Sequence, residues 1–462
     1  MPGDTMDVCN PYHLGVIGEV PLSDWAVADA WLSRARALAD DRRAWLPAHE
    51  RLAILERAQE LMRGRFDELA HQIADEGGKP LMDARVEVDR AIDGVGLCAR
   101  ELQHLGGGEV PMDLTAAGTG RMAFTQREPI GPVVAVSAFN HPLNLIVHQV
   151  APAVAVGCPV IVKPADDTPL SARSFVDILT EAGLPDGWCA FIACDIPTAE
   201  KLVTDPRVAF LSFIGSAKVG WMLRSKLAPG VRCALEHGGA APVIVDETAD
   251  VDTMVPLLAK GGLYHAGQVC VSVQRVFAPT AQAQQLAEAL AVVADGLVVG
   301  DAVEERTEVG PLIRPREVDR VEEWLTEAVD GKGQIVTGNC RLGETSFAPT
   351  IVLNPPPDCR LSTMEIFGPA IAVYGYDDME AAIGKANSLP FAFQASCFTQ
   401  RLDVAMHCIH ALDASAVMVN DHTAFRVDWM PFAGRKQSGY GVGGIGYTMH
   451  DMTQEKMAVI RL

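Results

Sequence analysis

One stretch of the chain, residues 235–275, contains a carboxylate and a thiol, which together can perform covalent chemistry on a carbonyl group. Glu236 precedes the paired glycines Gly238-Gly239, and Cys270 ends the short segment Gly267-Gln268-Val269-Cys270. A catalytic cysteine must be reachable and easily ionised, and Glu236 is a candidate general base. Taken alone, one of eleven cysteines more often packs as a small apolar residue, and most glutamates are surface carboxylates.

Polar residues also follow three apolar segments upstream of this stretch. Asn140 follows the first, where a neutral amide can donate to an oxyanion, although a helix N-cap is the simpler interpretation. Lys163 and Asp166 follow the second, where they can bind ribose hydroxyls or form a solvated loop pair. Gly215-Ser216 follows the third, where a helix N-terminus can bind phosphate. Three adjacent strand ends with polar groups favour a shared ligand over three unrelated loops.

These groups need a scaffold that ends several strands at one edge, and the pattern from residue 131 to 236 predicts one. Apolar segments alternate with helical ones, and the predicted strands are Val133–Ser137, Pro159–Lys163, Val208–Phe213 and Val231–Glu236. Such alternation is typical of a parallel, doubly wound α/β sheet, which binds ligands at the carboxyl ends of its strands. A second alternating region begins at Pro242 and predicts a second α/β domain.

The region before residue 131 is predicted to be mainly helical. A helix is expected over Asp24–Asp40, and one apolar stripe from Leu52 to Ile73 predicts a single amphipathic helix. Another helix is expected from Asp83 to Leu105. Residues 109–128 contain several β-forming residues and predict a hairpin.

Composition excludes several classes of protein. The chain has 462 residues, 49% of them hydrophobic, and a formal net charge of -21, which argues against binding to nucleic acid or to an anionic membrane. The most apolar region, 147–162, is interrupted by prolines and a glycine and is too short to span a membrane. Residues 1–12 have no basic region followed by an apolar one, and no C-x-x-C occurs. We therefore expect reduced thiols and a cytoplasmic location.

Two other patterns carry less weight. Gly441 to Gly446 matches G-x-G-x-x-G, but no predicted strand precedes it and no convincing helix follows it, which favours a loop. His407, Cys408 and His410 supply only an incomplete metal site and fit a helix surface better. We predict no metal.

Together the motifs resemble those of the aldehyde dehydrogenase superfamily over nearly the whole chain. They are SAFNHPLNL, VIVKPADDTPL, FIGSAKVG, LEHGG, GQVCVSVQR, EIFGP and PFAGRKQSG. The resemblance implies that Cys270 adds to an aldehyde, that Asn140 and the Cys270 N–H hold the oxyanion, and that Glu236 activates water to hydrolyse the thioester. Its implied cofactor contacts are Lys163 and Asp166 at the adenosine ribose, Gly215 and Ser216 at the pyrophosphate, Gly238 and Glu365 at the nicotinamide ribose, and Phe367 beside the ring.

The resemblance also implies a domain arrangement and an assembly. Residues 1–108 and 127–236 are expected to form a Rossmann-type NAD(P)-binding domain, and residues 237–446 a catalytic domain. Residues 109–126 and 447–462 are expected to form a β-arm that pairs subunits into a homodimer or a homotetramer.

Departures from the family pattern bear on cofactor and substrate. Asp166 stands where a glutamate is usual, and its charge should repel the 2′-phosphate of NADP, so NAD is the expected cofactor and NADP the alternative. The motifs are most similar to those of the phosphonoacetaldehyde and lactaldehyde branch, which acts on small aldehydes. Arg90, His141 and Arg426 are candidates to meet an anionic tail. A structural ion pair is at least as common a role for each arginine.

Two other functions stay open at this point. A CoA-acylating dehydrogenase would keep Cys270 but pass the acyl group to CoA, and such enzymes generally lack a glutamate at the position of Glu236. A non-catalytic member of the family, kept as a binding or structural protein, should have lost Cys270, Asn140 or Glu236. All three residues are present.

Overall fold

The computed structural model describes residues 5–462, and residues 1–4 of the first predicted domain range lie outside the described residues. The helices, in chain order, are α1 (Trp25–Asp40), α2 (Ala48–Gly64), α3 (Phe66–Gly77), α4 (Leu81–Glu101), α5 (Asn144–Val156), α6 (Pro169–Glu181), α7 (Ile196–Val203), α8 (Ala217–Lys226), α9 (Val251–Leu263), α10 (Thr280–Gly296), α11 (Pro315–Asp330), α12 (Arg360–Thr363), α13 (Met379–Asn387), α14 (Leu402–Ala411) and α15 (Ile445–Asp451). The strands are β1 (Thr5–Cys9), β2 (Val16–Pro21), β3 (Glu109–Val110), β4 (Arg121–Pro129), β5 (Val133–Val136), β6 (Val160–Lys163), β7 (Cys189–Phe191), β8 (Phe210–Ile214), β9 (Arg232–Glu236), β10 (Ala241–Val245), β11 (Val273–Pro279), β12 (Gln334–Thr337), β13 (Thr350–Leu353), β14 (Ala370–Tyr376), β15 (Phe391–Ala392), β16 (Gln394–Phe398), β17 (Ala416–Val419), β18 (Arg435–Lys436), β19 (Gly439–Tyr440) and β20 (Thr453–Arg461).

The first sheet has six strands in the order β19-β9-β8-β5-β6-β7. Strands β5 to β9 are parallel, and β19 joins β9 antiparallel at one edge. β5 and β6 are buried along almost their whole length, as expected for parallel strands that helices cover on both faces. The predicted doubly wound α/β class is confirmed. The predicted range 237–446 for the second domain includes β19, a strand of the first sheet.

The second sheet has seven strands in the order β12-β13-β14-β11-β10-β16-β17, and only β12 runs antiparallel to its neighbour. Apolar side chains from α9 and α10 pack against the central strands, with Leu258, Leu286 and Leu290 fully or nearly fully buried. The second α/β region expected from residue 242 onward is present.

The third sheet contains three strands in the order β20-β4-β3, which confirms the hairpin predicted for residues 109–128. β20 pairs antiparallel with β4 from Thr453 opposite Pro129 to Arg461 opposite Arg121. β20 is an edge strand, and its Met457, Val459 and Ile460 are exposed. An exposed apolar edge strand is a template for pairing with another chain.

One helix prediction is wrong. The apolar stripe from Leu52 to Ile73 predicts a single helix, but the structure has α2 and α3 because the chain leaves helical geometry at Arg65, directly after Gly64. Glycine in a helix costs about 1 kcal/mol relative to alanine, so Gly64 is an unfavourable position for a continuous helix. Both α2 and α3 still bury the apolar stripe, with Leu55, Met62 and Ile73 inaccessible to solvent.

Among residues 5–462, no helix combines the length and the apolar character that crossing a membrane requires. All eleven cysteines are free thiols. No group of three or more metal-ligating side chains occurs in this part of the chain.

Candidate active site

The carboxyl ends of four parallel strands of the first sheet bring the candidate residues to one edge. Asn140 follows β5, Lys163 ends β6, Gly215-Ser216 follows β8, and Glu236 ends β9. A cavity of about 600 Å³ lies between this edge and the turn that carries Cys270. Every candidate site residue lines it, namely Arg90, Asn140, His141, Lys163, Asp166, Gly215, Ser216, Glu236, Gly238, Cys270, Glu365, Phe367 and Arg426.

A left-handed turn after α9 presents Cys270 to the cavity. His265, Ala266 and Gly267 have φ values of 50°, 53° and 68°, so three consecutive residues are in the left-handed region. Gly267 is required there for a second reason, because a Cβ atom would overlap the carbonyl oxygen of Gly368. The turn is therefore fixed by its contact with a distant loop.

Gln268 locks this turn from inside. Its side-chain Nε2 donates to the carbonyls of His265 and Pro311 at 3.2 Å each, and its Oε1 accepts from the N–H of Ile313 at 3.0 Å. The side chain of Asn140 is buried and donates through Nδ2 to the carbonyl of Gln268 at 2.8 Å. An amide nitrogen carries two N–H donors, so the second one remains available for an oxyanion.

The ionisation of Cys270 differs from the expectation of an easily ionised thiol. Burial raises the pKa of Cys270 to about 12, and the negative charges of Glu365 and Glu236 act in the same direction. Only the Arg426 guanidinium and one backbone N–H oppose them. Desolvation therefore disfavours the thiolate in this environment.

Glu236 lies at the end of β9 in a low-dielectric environment. Burial raises the pKa of its carboxyl, and the positive charge of Arg426 lowers it. A Cβ atom on Gly443 would overlap Oε1 of Glu236, so the carboxylate extends into space that a glycine leaves open. A carboxyl with a raised pKa is a better general base near neutral pH.

Glu365 closes the other side of the catalytic region. Its Oε1 accepts from the N–H of Gly239 at 3.1 Å, and a Cβ atom on Gly238 would overlap the carboxylate. Burial raises the pKa of Glu365 to about 8, opposed by the Gly239 N–H and by Arg320. Gln274 holds the backbone on both sides of it, donating to Met364 O at 2.7 Å and accepting from Ile366 N at 3.0 Å.

Three helices begin at this edge of the sheet, and two of their N-termini are capped by buried carboxylates from α3 and α4. Glu87 accepts from the N–H groups of Leu143 and Asn144 before α5, and Glu76 accepts from those of Leu170 and Ser171 in α6, all within 2.7–3.0 Å. The N-terminus of α8 has no side-chain cap at Ser216. Its free N–H groups and positive dipole end suit a pyrophosphate, so the residues present fit a dinucleotide.

Lys163 and Asp166 form an ion pair with each other at the cofactor end of the cavity. Asp167 beside them pairs with Arg314 through two N–H···O contacts of 2.5 Å. Each of these two carboxylates is therefore paired with a cation. Phe367 lies in a left-handed conformation with φ 44° and packs edge-on against Phe139 at a centroid distance of 5.8 Å.

The far end of the cavity contains the candidate substrate contacts, and its two arginines have different partners. Arg90 makes a two-point ion pair with the buried carboxylate of Asp428, with Nη2 at 2.7 Å and Nε at 3.2 Å. Arg426 has no ion pair among residues 5–462 and lies over the Phe432 ring with its guanidinium carbon 3.6 Å from the centroid. Burial lowers the pKa of His141, so this side chain is neutral at pH 7.

Comparison with known proteins decides the family. The model of the aldehyde dehydrogenase family matches residues 1–458. The chain belongs to the aldehyde dehydrogenase family. The 3-sulfolactaldehyde dehydrogenase of Priestia aryabhattai is 35% identical to it over 461 residues, which cover 99% of this chain and 95% of the relative.

Solved structures agree with this assignment. Aldehyde dehydrogenase 21 from Physcomitrella patens, in complex with the reaction product succinate, superposes with a TM-score of 0.96 at 35% identity and covers 99% of this chain and 95% of its own. Glyceraldehyde-3-phosphate dehydrogenase GapN from Methanocaldococcus jannaschii, complexed with NADP, gives a TM-score of 0.94 at 33% identity and covers 99% of both chains. This aldehyde dehydrogenase is an oxidoreductase that oxidises an aldehyde with NAD(P).

Several residues that shape the dehydrogenase site were not found from the sequence. Glu87, His148, Gln268, Gln274 and Asp428 are all buried polar side chains. A buried polar residue that follows no predicted strand end looks like a surface residue in the sequence. One signal in the sequence could have indicated Gln268 and Gln274, because these two glutamines flank Cys270 in a mainly apolar stretch.

One sequence interpretation is corrected in the folded dehydrogenase, and another agrees with the structure. The segment Gly441–Gly446 follows the short strand β19 and opens the helix α15, although neither was expected. Both elements are too short to give a periodic pattern, with two and seven residues. His407 pairs with Glu380 at 2.6 Å on a half-exposed helix surface, as the simpler interpretation expects.

Proposed function

We propose that Cys270 is the nucleophile of aldehyde oxidation, that Glu236 is the general base for hydrolysis, and that Asn140 and the Cys270 N–H hold the oxyanion. The observation that carries this proposal is the 2.8 Å bond from Asn140 Nδ2 to the carbonyl of Gln268, two residues before Cys270. It ties the candidate oxyanion donor to the turn of the nucleophile. Both side chains then meet the same carbonyl group.

The thiol of Cys270 releases its proton to solvent, and Sγ forms a bond to the carbonyl carbon as the C=O π bond breaks. The carbonyl oxygen becomes an oxyanion between Asn140 Nδ2 and the Cys270 N–H. NAD(P) bound at this edge of the sheet would supply the acceptor for the hydride on this carbon. The oxyanion then collapses to a thioester on Cys270. Glu236 takes a proton from water, the water oxygen attacks the thioester carbon, the C–S bond breaks, and the acid leaves.

The cofactor contacts follow from the same edge of the sheet. Lys163 and Asp166 are assigned to the adenosine ribose, Gly215 and Ser216 to the pyrophosphate, Gly238 and Glu365 to the nicotinamide ribose, and Phe367 to the ring face. The uncapped N-terminus of α8 supports the pyrophosphate assignment. Asp166 supports NAD over NADP, because a carboxylate repels a 2′-phosphate.

We infer a short, polar, anionic aldehyde as the substrate class. Arg426 supports it, because this guanidinium has no carboxylate partner among the described residues while Arg90 is occupied by Asp428. Arg90 and His141 then form the wall beside the tail. Three similar proteins point the same way, since 3-sulfolactaldehyde carries a sulfonate, succinate is a dicarboxylate, and glyceraldehyde-3-phosphate carries a phosphate. Other relatives are lactaldehyde dehydrogenases, and lactaldehyde is uncharged.

One experiment tests the reaction and its rivals together. NADH formation is measured with glycolaldehyde, lactaldehyde, succinic semialdehyde, phosphonoacetaldehyde and a long alkanal, each with and without CoA, in wild type and Cys270→Ala. We expect CoA-independent turnover that Cys270→Ala abolishes and the highest kcat/KM on an anionic aldehyde. A strict CoA requirement would establish an acylating enzyme, turnover in Cys270→Ala would exclude the nucleophile, and preference for the alkanal would exclude the substrate class.

We also propose an assembly and a domain arrangement. The sheet β20-β4-β3, with its exposed apolar edge at Met457 and Ile460, supports an arm that joins subunits into a homodimer or a homotetramer. We propose residues 1–108 and 127–236 as the cofactor domain, 237–446 as the catalytic domain, and 109–126 with 447–462 as the arm. Light scattering measures the subunit number.

Free thiols at all eleven cysteines support a cytoplasmic location.

A further inference from the structure

A buried polar network lies behind Arg426 and has no role in the steps described above. Its centre is Asp428, whose carboxylate is 4% exposed. Asp428 accepts from Arg90 at 2.7 Å and 3.2 Å, from His148 Nε2 at 2.7 Å and from Asn144 Nδ2 at 3.3 Å. A carboxylate with this many donors is held firmly in place and remains ionised, and the pKa of Asp428 is lowered accordingly.

The contact with Asp428 fixes the tautomer of His148. Burial lowers the pKa of His148 to about 4, so the imidazole is neutral at pH 7 and carries one N–H. Because Nε2 contacts an ionised carboxylate, that nitrogen carries the proton. Nδ1 is then an acceptor, and it lies 3.4 Å from Nη2 of Arg426.

His148 is also immobile. It belongs to α5, of which every residue except Leu145 is buried, and Glu87 caps the N-terminus of this helix. The Arg426 guanidinium therefore has a fixed acceptor on one edge and the Phe432 ring against its face, 3.6 Å from the guanidinium carbon. An arginine side chain has many rotamers, and these two contacts restrict them.

We propose that His148 is a positioning residue whose Nδ1, kept as an acceptor by the contact of Nε2 with Asp428, orients Arg426, and that this relay sets the preference of the enzyme for aldehydes with an anionic tail. The inference rests on the proposed function, in which Arg426 meets that tail. Arg426 keeps donors on its other edge for the tail, since a guanidinium has five N–H groups. His148 does not contact the substrate in this arrangement.

The charge of Arg426 also acts on the catalytic groups, and this effect is separable. The guanidinium lowers the pKa of both Glu236 and Cys270. Loss of the charge would raise the pKa of Cys270 further, which slows thiolate attack on every aldehyde. If the guanidinium keeps its charge but loses its orientation, binding is weakened only for substrates that accept a directed hydrogen bond from it.

The test compares His148→Gln with His148→Asn on two aldehydes. A glutamine amide can replace Nε2 as the donor to Asp428 but has no atom near Nδ1, and an asparagine amide can replace Nδ1 as the acceptor for Arg426. The aldehydes are succinic semialdehyde and pentanal. They are similar in length, because a carboxylate oxygen of the first takes the place of the methyl carbon of the second, and they differ in the terminal charge. Arg426→Met is measured beside them.

For His148→Gln we expect KM for succinic semialdehyde to rise about tenfold, the loss of one directed hydrogen bond, with kcat and the pentanal constants changed less than about twofold. His148→Asn should stay within about threefold of wild type on both aldehydes. His148→Phe should repeat the selective loss and carries the test if His148→Gln does not fold.

Equal KM changes on both aldehydes in His148→Gln, or no change on either, would overturn the relay. Equal losses in His148→Asn and His148→Gln would also overturn it, because position of the acceptor would not matter. If Arg426→Met leaves the ratio of kcat/KM for the two aldehydes at its wild-type value, the substrate assignment itself fails. The two failures are thus distinguishable.

Discussion

The carboxylate of Glu236 occupies the space that a side chain on Gly443 would need. A Cβ atom on Gly443 would overlap Oε1 of Glu236 and lie 3.0 Å from Cδ of the same side chain. Gly443 cannot move away, because its N–H donates to Phe432 O at 2.7 Å and its carbonyl accepts from Phe432 N at 2.9 Å. The position of the proposed base is therefore set by a glycine from a segment that the sequence suggested was only a loop.

Gly443→Ala should displace the Glu236 carboxylate and slow hydrolysis of the thioester more than its formation. We expect a burst of about one NADH per active site followed by a steady state reduced at least about tenfold, since a base 1 Å out of place loses one to two orders of magnitude. Stopped-flow absorbance measures both phases. Gly446→Ala is the matched control, because its Cβ atom would meet nothing closer than 3.5 Å; wild-type turnover in Gly443→Ala would contradict the prediction.

Alkylation of Cys270 should require high pH in the protein without cofactor. The pKa of Cys270 is raised to about 12, so the rate with iodoacetamide should still rise with pH at pH 10. Glu365→Gln removes an anion, which favours the thiolate and lowers this pKa. Because Glu365 itself has a pKa of about 8, the variant should differ most from wild type above pH 8.

Mass spectrometry of the Cys270 peptide separates this reaction from that of the exposed Cys9 and Cys340. A rate that reaches its plateau below pH 8 in wild type would show that burial does not control the thiol.

Asn140→Ala should reduce kcat by about 10²- to 10³-fold, the usual loss on removing one oxyanion donor from a buried site. KM for the aldehyde should change little, because the donor acts on charge that develops after binding. Cofactor titration by tryptophan fluorescence checks that the cavity is intact. A loss of less than tenfold would place the oxyanion elsewhere.

Asp166→Asn should improve NADP relative to NAD. The substitution removes the carboxylate that pairs with Lys163 and leaves the lysine free for a 2′-phosphate. We expect the ratio of kcat/KM for NADP over NAD to rise about fivefold, because the interaction free energy of one half-exposed charge is about 1 kcal/mol. Wild type with a strong NADP preference would refute the assignment of NAD before any variant is made.

Glu87→Gln should destabilise the fold by about 3–5 kcal/mol, because Lys79 is fully buried and would lose its only ion-pair partner among residues 5–462. The double variant Lys79→Met with Glu87→Gln should recover part of this loss, since the amide oxygen can still cap α5. Urea unfolding gives the free energies. Glu60→Gln, which breaks the exposed Arg57–Glu60 pair, is the control and should cost less than about 1 kcal/mol.

Much of the architecture could be predicted from the sequence. The strands that end at Lys163 and Glu236 and the helices α1 and α4 lie within a few residues of their predicted bounds, because apolar runs and helix-start residues are local signals. The elements β7, α7 and β19 were missed, since short elements give no period. The break at Arg65 was missed because the apolar stripe continues across it.

The sequence by itself determined which residues are candidates for chemistry. Glu236 and Asn140 follow predicted parallel strands, whose carboxyl ends meet at one edge, so their gathering in one cavity followed from local pattern. Cys270 precedes a strand of the second sheet, and only its motif marked it as a candidate. Only the tertiary structure decided their ionisation, because burial and neighbouring charges set a pKa. The tertiary structure also decided that Arg90 is ion-paired and Arg426 is not. The partner of Arg90 is Asp428, which lies 338 positions away in the sequence. Contacts at that separation depend on how the two domains fold together, and no local signal in the chain encodes them.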